Sequence, residues 1–264
     1  MVNKETTLCI SIAERPGNFG AEFHNRGYLA LGLNWLYLPR QVPPENLEKT
    51  IQSMRVLEIR GCSVSMPHKE SVIPFLDFLD STASSIGAVN TIVNRNGRLE
   101  GYNTDYSGAK QALQKIGPIE QKRVVILGAG GAARAVAQAI YDHRGRLTIT
   151  NRSEEKGRNL ARKLKAEYIN WEERNNIEGD ILINATSIGM KLGDCSPLTR
   201  GTINRFHTLM DIIVTNNTAL TMIGRNLGKE IITGKTMTAY QAAAQFKLYT
   251  GENFPIDILK GYLI

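Results

Sequence analysis

Cysteine is scarce in this chain. Cys9, Cys62 and Cys195 are the only three in 264 residues, too few and too far apart for a disulfide framework or a CxxC metal site. No set of His, Cys, Asp and Glu has metal-ligand spacing, so no metal is expected. Long apolar runs are missing as well. No stretch of about 18 apolar residues occurs, and Met1-Val2-Asn3-Lys4-Glu5 leads into polar residues without a signal-type apolar core. The expectation is a soluble cytoplasmic protein with no membrane partner. There is no low-complexity tail either. Hydrophobic content of 42% and charged content of 22% are those of a globular protein able to bury a core. The 32 basic residues outnumber the 25 acidic ones, giving a formal charge of +7. They are spread, however, with only loose clusters at Arg144–Arg146 and Lys156–Lys165. Without an aromatic-plus-basic recognition motif, that surplus fits a phosphorylated cofactor or an anionic substrate better than nucleic acid.

The length exceeds the usual single domain of roughly 100–200 residues, which favours two modest domains or one large one. Thr7–Ile12 and Leu33–Tyr37 read as short strands around a helical stretch from Ala21 to Leu31. Pro44–Leu57 is helix-like, and Gly61–Ser65 is a strand that Pro67 ends. Ala88–Asn94 and Arg98–Tyr102 flank Asn96-Gly97, a pair that favours a tight hairpin. A helix is expected over Ser107–Ile116, stopped by Gly117-Pro118. Arg123–Leu127 is a continuous apolar run of the kind buried on both faces of a parallel sheet. A helix over Arg134–Tyr141 and a strand over Leu147–Thr150 complete a βαβ unit. Further strands are expected at Ile181–Asn184, Thr208–Ile213 and Glu230–Ile232, then helices at Ala239–Tyr249 and near Leu263.

Gly128, Gly130 and Ala133 match the G-x-G-x-x-G/A dinucleotide fingerprint between that strand and helix, with Ala129, Gly131 and Ala132 completing the turn. Glycine permits the tight turn and lets backbone amides approach a pyrophosphate. The helix N-terminus adds donors and positive dipole. About 20 residues on, an NAD site would place an acid against the ribose 2′-hydroxyl. Here the strand ends Thr150-Asn151-Arg152-Ser153. Arg152 can pair with a 2′-phosphate, and Asn151 and Ser153 can hydrogen-bond it, so NADP is the expected cofactor.

Gly61-x-Ser63-Val64-Ser65-x-Pro67-x-Lys69, Gly87-Ala88-Val89-Asn90-Thr91 and Gly101-Tyr102-Asn103-Thr104-Asp105 resemble the substrate-domain motifs of the shikimate dehydrogenase family. The likeness continues through Gly128–Ala133, Asn151-Arg152-Ser153, Asn184-Ala185-Thr186-Ser187-x-Gly189-Met190 and Gln241. It implies an α/β protein: an N-terminal α/β substrate domain over residues 1–104, a Rossmann-type doubly wound NADP domain over 105–235 with a cleft between them, and C-terminal helices over 236–264 that return to the first. It also implies hydride exchange between NADP(H) and shikimate or 3-dehydroshikimate. Lys69 and Asp105 become the catalytic pair. Asn18, Ser63, Ser65, Asn90, Thr104 and Gln241 become substrate-binding residues, and Ala185, Thr186, Ser187 and Gly234 join the cofactor side. The chemistry is coherent. Hydride delivery to a carbonyl leaves an alkoxide, which an ammonium can both stabilise and protonate, while a nearby carboxylate opposes the loss of its charge on burial.

Departures accompany the resemblance. The family's Ser-x-Ser-Pro stretch, which binds the substrate carboxylate, reads Asn18-Phe19-Gly20-Ala21 here. Ser63 and Ser65 replace an asparagine and a threonine. After Asp211, Val214 stands in the loop where the family commonly has a tyrosine. These changes leave quinate or an amino analogue as alternative substrates, and a non-catalytic NADP(H) or ring-acid sensor as an alternative role. His24 and His68 are read as structural. The reading allows a monomer or a homodimer.

Overall fold

The computed structural model describes residues 2–191, 193–215 and 217–263. The chain divides into two compact units, Met1–Thr104 with Gln241–Ile264, and Asp105–Tyr240. It passes from one to the other inside two helices, α4 (Thr104–Gln114) and α9 (Gly234–Thr250). The second crossing lies beyond the boundary expected at 235.

The first unit begins β1 (Thr7–Ala13), α1 (Phe19–Ala30), β2 (Trp35–Gln41), α2 (Leu47–Val56) and β3 (Gly61–Val64), and continues β4 (Phe78–Leu79), α3 (Ser81–Ile86), β5 (Thr91–Arg95) and β6 (Arg98–Tyr102). Its six-stranded sheet has the order β2-β1-β3-β5-β6-β4. β1 runs parallel to β2 and β3, and β5 and β6 form the antiparallel hairpin. That hairpin turns at Asn96 and Gly97, both at positive φ, as a tight two-residue turn requires. β2 starts later and runs further than expected. Pro39 does not end it because β2 lies at the sheet edge, where a missing N–H costs no ladder bond. The core gathers Ile10, Ile12, Leu47, Ile51, Met54 and Ile92. The C-terminal segment completes this unit. Phe254, just before α10 (Ile256–Lys260), stacks on Phe23 with ring centroids 3.9 Å apart.

The second unit holds β7 (Arg123–Leu127), α5 (Gly131–Asp142), β8 (Arg146–Asn151), α6 (Glu154–Lys163), β9 (Glu167–Asn170) and β10 (Ile181–Asn184), then α7 (Arg200–Ile203), β11 (Thr208–Asp211), α8 (Ala219–Asn226) and β12 (Glu230–Ile232). All its strand pairs are parallel, in the order β12-β11-β10-β7-β8-β9. Counted within the unit this is 3-2-1-4-5-6, the doubly wound dinucleotide-binding order. The apolar runs explain it. Val124, Ile126 and Ile183 pack on one face with Ala133, Val136 and Ile140, while Val125, Leu127 and Leu182 pack on the other with Ile203, Phe206 and Leu220. Alternate residues of one strand thus feed two cores, which only a sheet covered on both sides provides. β11 ends at Asp211, short of the expected Ile213, because Asp211 Oδ1 accepts from Ile213 N at 3.1 Å and turns the chain.

Candidate functional site

In the doubly wound unit the strand order reverses between β7 and β10, and ligands of such sheets bind beyond the carboxyl ends of the strands at that point. Gly128 follows β7 and Ala185 follows β10. Gly128 holds φ +116°, and a Cβ there would lie 2.6 Å from the Ala185 carbonyl oxygen. Glycine is therefore required twice over, by conformation and by contact. Gly130 differs. A Cβ there would meet nothing within 4 Å, so the protein's own packing does not demand glycine. The room a side chain would fill lies at the N-terminus of α5, where Gly130 contributes no side-chain cap. Helix donors and dipole are thus left for a phosphate.

At the end of β8, Asn151 Nδ2 donates to the Ser153 carbonyl at 2.8 Å, which holds the turn. Arg152 is exposed and has no hydrogen-bond or ionic partner among the described residues. The nearby acid Glu154 is engaged by Arg158 at 2.7 Å. These residues fit NADP: an open cradle for the pyrophosphate and an unengaged guanidinium for a 2′-phosphate. Beyond β10, the Thr186 hydroxyl faces inward, donating to Asn184 Oδ1 at 2.7 Å and accepting from Ile188 N at 3.1 Å. Ala185 packs its carbonyl toward Gly128, and Gly234 packs against the backbone of Ile213. Ser187 is exposed.

Four of the six residues expected on the substrate side, Ser63, Asn90, Thr104 and Gln241, converge within the first unit. Asn90 Nδ2 donates to Thr104 Oγ1 at 3.0 Å, while Asn90 Oδ1 accepts from Thr104 N at 2.7 Å and from Thr91 Oγ1 at 2.8 Å. Gln241 Nε2 reaches Thr104 Oγ1 at 3.3 Å. One turn along α9, Gln245 Nε2 serves Ser63 Oγ at 3.1 Å, the Asn90 carbonyl at 3.1 Å and Thr91 Oγ1 at 2.9 Å. Ser63, Asn90, Thr104 and Gln241 therefore belong to one network, together with Thr91 and Gln245. Sequence reasoning passed over these last two as binding residues, although the i, i+4 spacing of Gln241 and Gln245 on an alanine-rich helix puts both amides on one face.

Ser65 is exposed, and its backbone N–H bonds Ile12. Asn18 is exposed at the N-cap of α1, and its side chain makes no cap bond. A Cβ at Gly20 would lie 3.1 Å from Tyr37 Oη. The Tyr37 phenol is pushed up by burial and has Ser11 and Ser63 within hydrogen-bonding reach. Lys69 is half-buried in the turn after β3, its carbonyl bonding Val89 N at 2.7 Å. Asp105 is buried in the first turn of α4, where a carboxylate complements the helix dipole. His68, beside Lys69, is buried with Nε2 2.7 Å from the Val42 carbonyl, a structural contact. Among the described residues no group of three or more His, Cys, Asp or Glu could hold a metal ion, and no helix is long and apolar enough to cross a membrane.

The family model for the shikimate dehydrogenase substrate-binding domain matches residues 19–92, and that for shikimate/quinate 5-dehydrogenase matches residues 110–223. A shikimate dehydrogenase-like protein of Haemophilus influenzae is 40% identical over 265 residues, covering 98% of this chain and 96% of that one. The chain belongs to the shikimate dehydrogenase family. The NADP(+) shikimate dehydrogenase of Aquifex aeolicus is 34% identical, covering 89% of this chain and 88% of its own. A shikimate dehydrogenase crystallised with NADP+ superposes with a TM-score of 0.91 at 34% identity, covering 100% of this chain and 96% of that one. The 5-ketofructose reductase of Gluconobacter sp. strain CHM43 superposes with a TM-score of 0.84 at 28% identity, covering 99% of both chains. The two family models fall one in each unit, with the substrate-domain model covering Ser63, Asn90 and Thr91 of the hydroxyl-and-amide network and the dehydrogenase model spanning the glycine turn.

Proposed function

We propose that this protein is an NADP-dependent oxidoreductase that interconverts shikimate and 3-dehydroshikimate. The observation that carries this reading is the 3-2-1-4-5-6 sheet with an open glycine cradle at its reversal point, in a chain whose other unit joins Ser63, Asn90, Thr104 and Gln241 in one polar network. NADP, when bound, accepts or supplies the hydride at the ring carbon. Gly128, Ala129, Gly130, Gly131 and Ala132 hold its pyrophosphate; Asn151, Arg152 and Ser153 hold the 2′-phosphate. Ala185, Thr186, Ser187 and Gly234 line its remaining length. Asn90, Thr104 and Gln241 fix ring hydroxyls, with Ser63, Ser65 and Asn18 as further polar contacts. Lys69 stabilises the charge that develops on the substrate oxygen and passes the proton, with Asp105 as its partner. The protein acts in the cytoplasm on this small molecule, as a monomer or twofold dimer, and binds no nucleic acid.

A second reading is favoured by Gly20, which offers no side chain, and by Asn18, an amide, where the family's pattern has two serines. Both weaken the hydroxyl set for a carboxylate, and the structural likeness to a 5-ketofructose reductase extends to a substrate without one. Quinate is a further candidate. The test is NADPH formation at 340 nm with NADP or NAD against shikimate and quinate, and NADPH consumption with 5-ketofructose, each beside Lys69→Ala. The expected result is NADP-dependent turnover of shikimate that falls at least about a thousandfold in the variant, with the loss of both charge stabilisation and proton transfer. Turnover of the ketose alone selects the second reading. NADPH binding with no turnover of any of the three defeats both and leaves an amino analogue or a sensor role.

A further inference from the structure

Asp211 is 1% exposed and has no cationic partner among the described residues. Burial raises its carboxyl above the ordinary aspartate value, against the donors of Thr218, Ile213 and Asn184. A carboxylate held this way costs stability when ionised, so its placement asks for a reason.

Its donors supply one, because each belongs to a different segment. Thr218 Oγ1 donates to Oδ2 at 2.7 Å, and Thr218 is also the N-cap of α8, with a capping box to Thr221. Ile213 N donates to Oδ1 at 3.1 Å, and the backbone of Ile213 is what Gly234 packs against. Asn184 Nδ2 donates to Oδ1 at 3.2 Å and also to the Ile188 carbonyl at 3.1 Å. Through Oδ1 the same asparagine accepts from Thr186 N at 3.2 Å and Thr186 Oγ1 at 2.7 Å. The loop so anchored presents the Ala185 carbonyl to Gly128, with no spare room between them. One buried carboxylate thus sets the loop after β10, the loop after β11 and, through Ala185, the glycine turn after β7.

We propose that Asp211 is a positioning residue for the dinucleotide, acting through Asn184, Ile213 and Thr218 on the backbone that forms the cofactor's seat. The inference rests on the NADP reading and extends it to a group that is not a cofactor contact. Asp211→Ala removes both oxygens, and with them the acceptors of Ile213 N, Asn184 Nδ2 and Thr218 Oγ1. Thr218→Val removes one donor, and Thr218→Ser keeps it.

The experiment measures NADPH dissociation constants by nucleotide fluorescence and steady-state KM for NADP and for shikimate. All proteins are assayed well below their individual melting midpoints. Asp211→Ala should weaken NADPH binding about tenfold or more, raise KM for NADP and leave KM for shikimate within about twofold. Thr218→Val should weaken NADPH binding and Thr218→Ser should restore it. A merely structural carboxylate would lower the melting midpoint without separating the two KM values. Wild-type NADPH affinity in Asp211→Ala overturns the inference. If that variant does not fold, wild-type affinity in Thr218→Val overturns it instead. Wild-type protein that does not bind NADPH at all defeats the cofactor reading, and this one with it; tight wild-type binding unchanged in the variants defeats this one alone.

Discussion

His24 is fully buried in α1, its ring 4.5 Å from and nearly parallel to that of Tyr37. Neither ring nitrogen has a hydrogen-bond partner of good geometry among the described residues. Burial pushes the imidazole from the ordinary 6.5 down to about 3, with the Gln245 amide opposing only in part. The ring is therefore neutral in the folded protein and chargeable in the unfolded one. Because the folded value is depressed, the unfolded chain binds the extra proton first. Stability is whole above pH 6.5 and is lost as pH falls through the window from 6.5 toward 3, at about 1.4 kcal/mol per pH unit from this residue. Urea denaturation of wild type and His24→Phe at pH 7, 6, 5 and 4 checks it. The difference in unfolding free energy between the two should change by that slope in favour of the variant, and parallel profiles would show that His24 does not govern acid lability. The sequence marked His24 as structural, which agrees with its burial. It could not show that the histidine would be unsatisfied, because the surrounding rings of Tyr37, Phe246 and Tyr249 come from distant segments.

Elements buried on both faces were legible in the sequence because their residues have no polar alternation to blur them. β7 and β10 fall where the apolar runs Arg123–Leu127 and Ile181–Asn184 put them. β9 was not foreseen, since Glu167 and Asn170 are exposed at the sheet edge and leave no apolar pattern. α6 was not foreseen either. Its helix signal is electrical rather than apolar, with Glu154 and Glu155 in the first turn and Arg162 and Lys163 in the last, each favoured by the dipole. α3 carries a start and stop that were overlooked: Asp80 accepts from Ala83 N at 3.0 Å, and Gly87 ends the helix at φ +73°. The turn between β7 and α5 yields a prediction at this scale. Gly128→Ala forces a side chain into a left-handed position against the Ala185 carbonyl and should cost about 1–3 kcal/mol of stability along with NADPH affinity. Gly130→Ala meets no protein atom, so its stability should stay within about 0.5 kcal/mol of wild type while NADPH affinity falls. Thermal melts beside NADPH titrations test the pair. Equal loss of stability in both would make Gly130 a folding residue and remove the argument for its open cradle.

At the scale of the whole chain, the two units differ in how they are drawn from it. Asp105–Tyr240 is continuous, whereas the first unit needs Gln241–Ile264 from the far end. The sequence motifs implied this return through Gln241, but not how much core comes with it. Gln245, Phe246, Tyr249 and Phe254 are all buried, and a Cβ at Gly27 would lie 2.6 Å from Phe254 and 2.7 Å from Phe246. That glycine is explained by the rings arriving from the other terminus. Loss of a buried aromatic side chain costs about 3–5 kcal/mol, and three together are comparable with the roughly 5–15 kcal/mol that holds an ordinary domain folded. A chain ending at Tyr240 should therefore lose the first unit cooperatively. Its second unit keeps every strand of the 3-2-1-4-5-6 sheet and every residue assigned to the cofactor. The truncated protein should show one melting transition in place of the full signal, amide exchange protection confined to residues of 105–240, and NADPH binding within about tenfold of the intact chain. Protection that persists through β1, β3 and β5 would mean that the aromatic return is dispensable for folding. The C-terminal helix would then serve the substrate network through Gln241 and Gln245 alone.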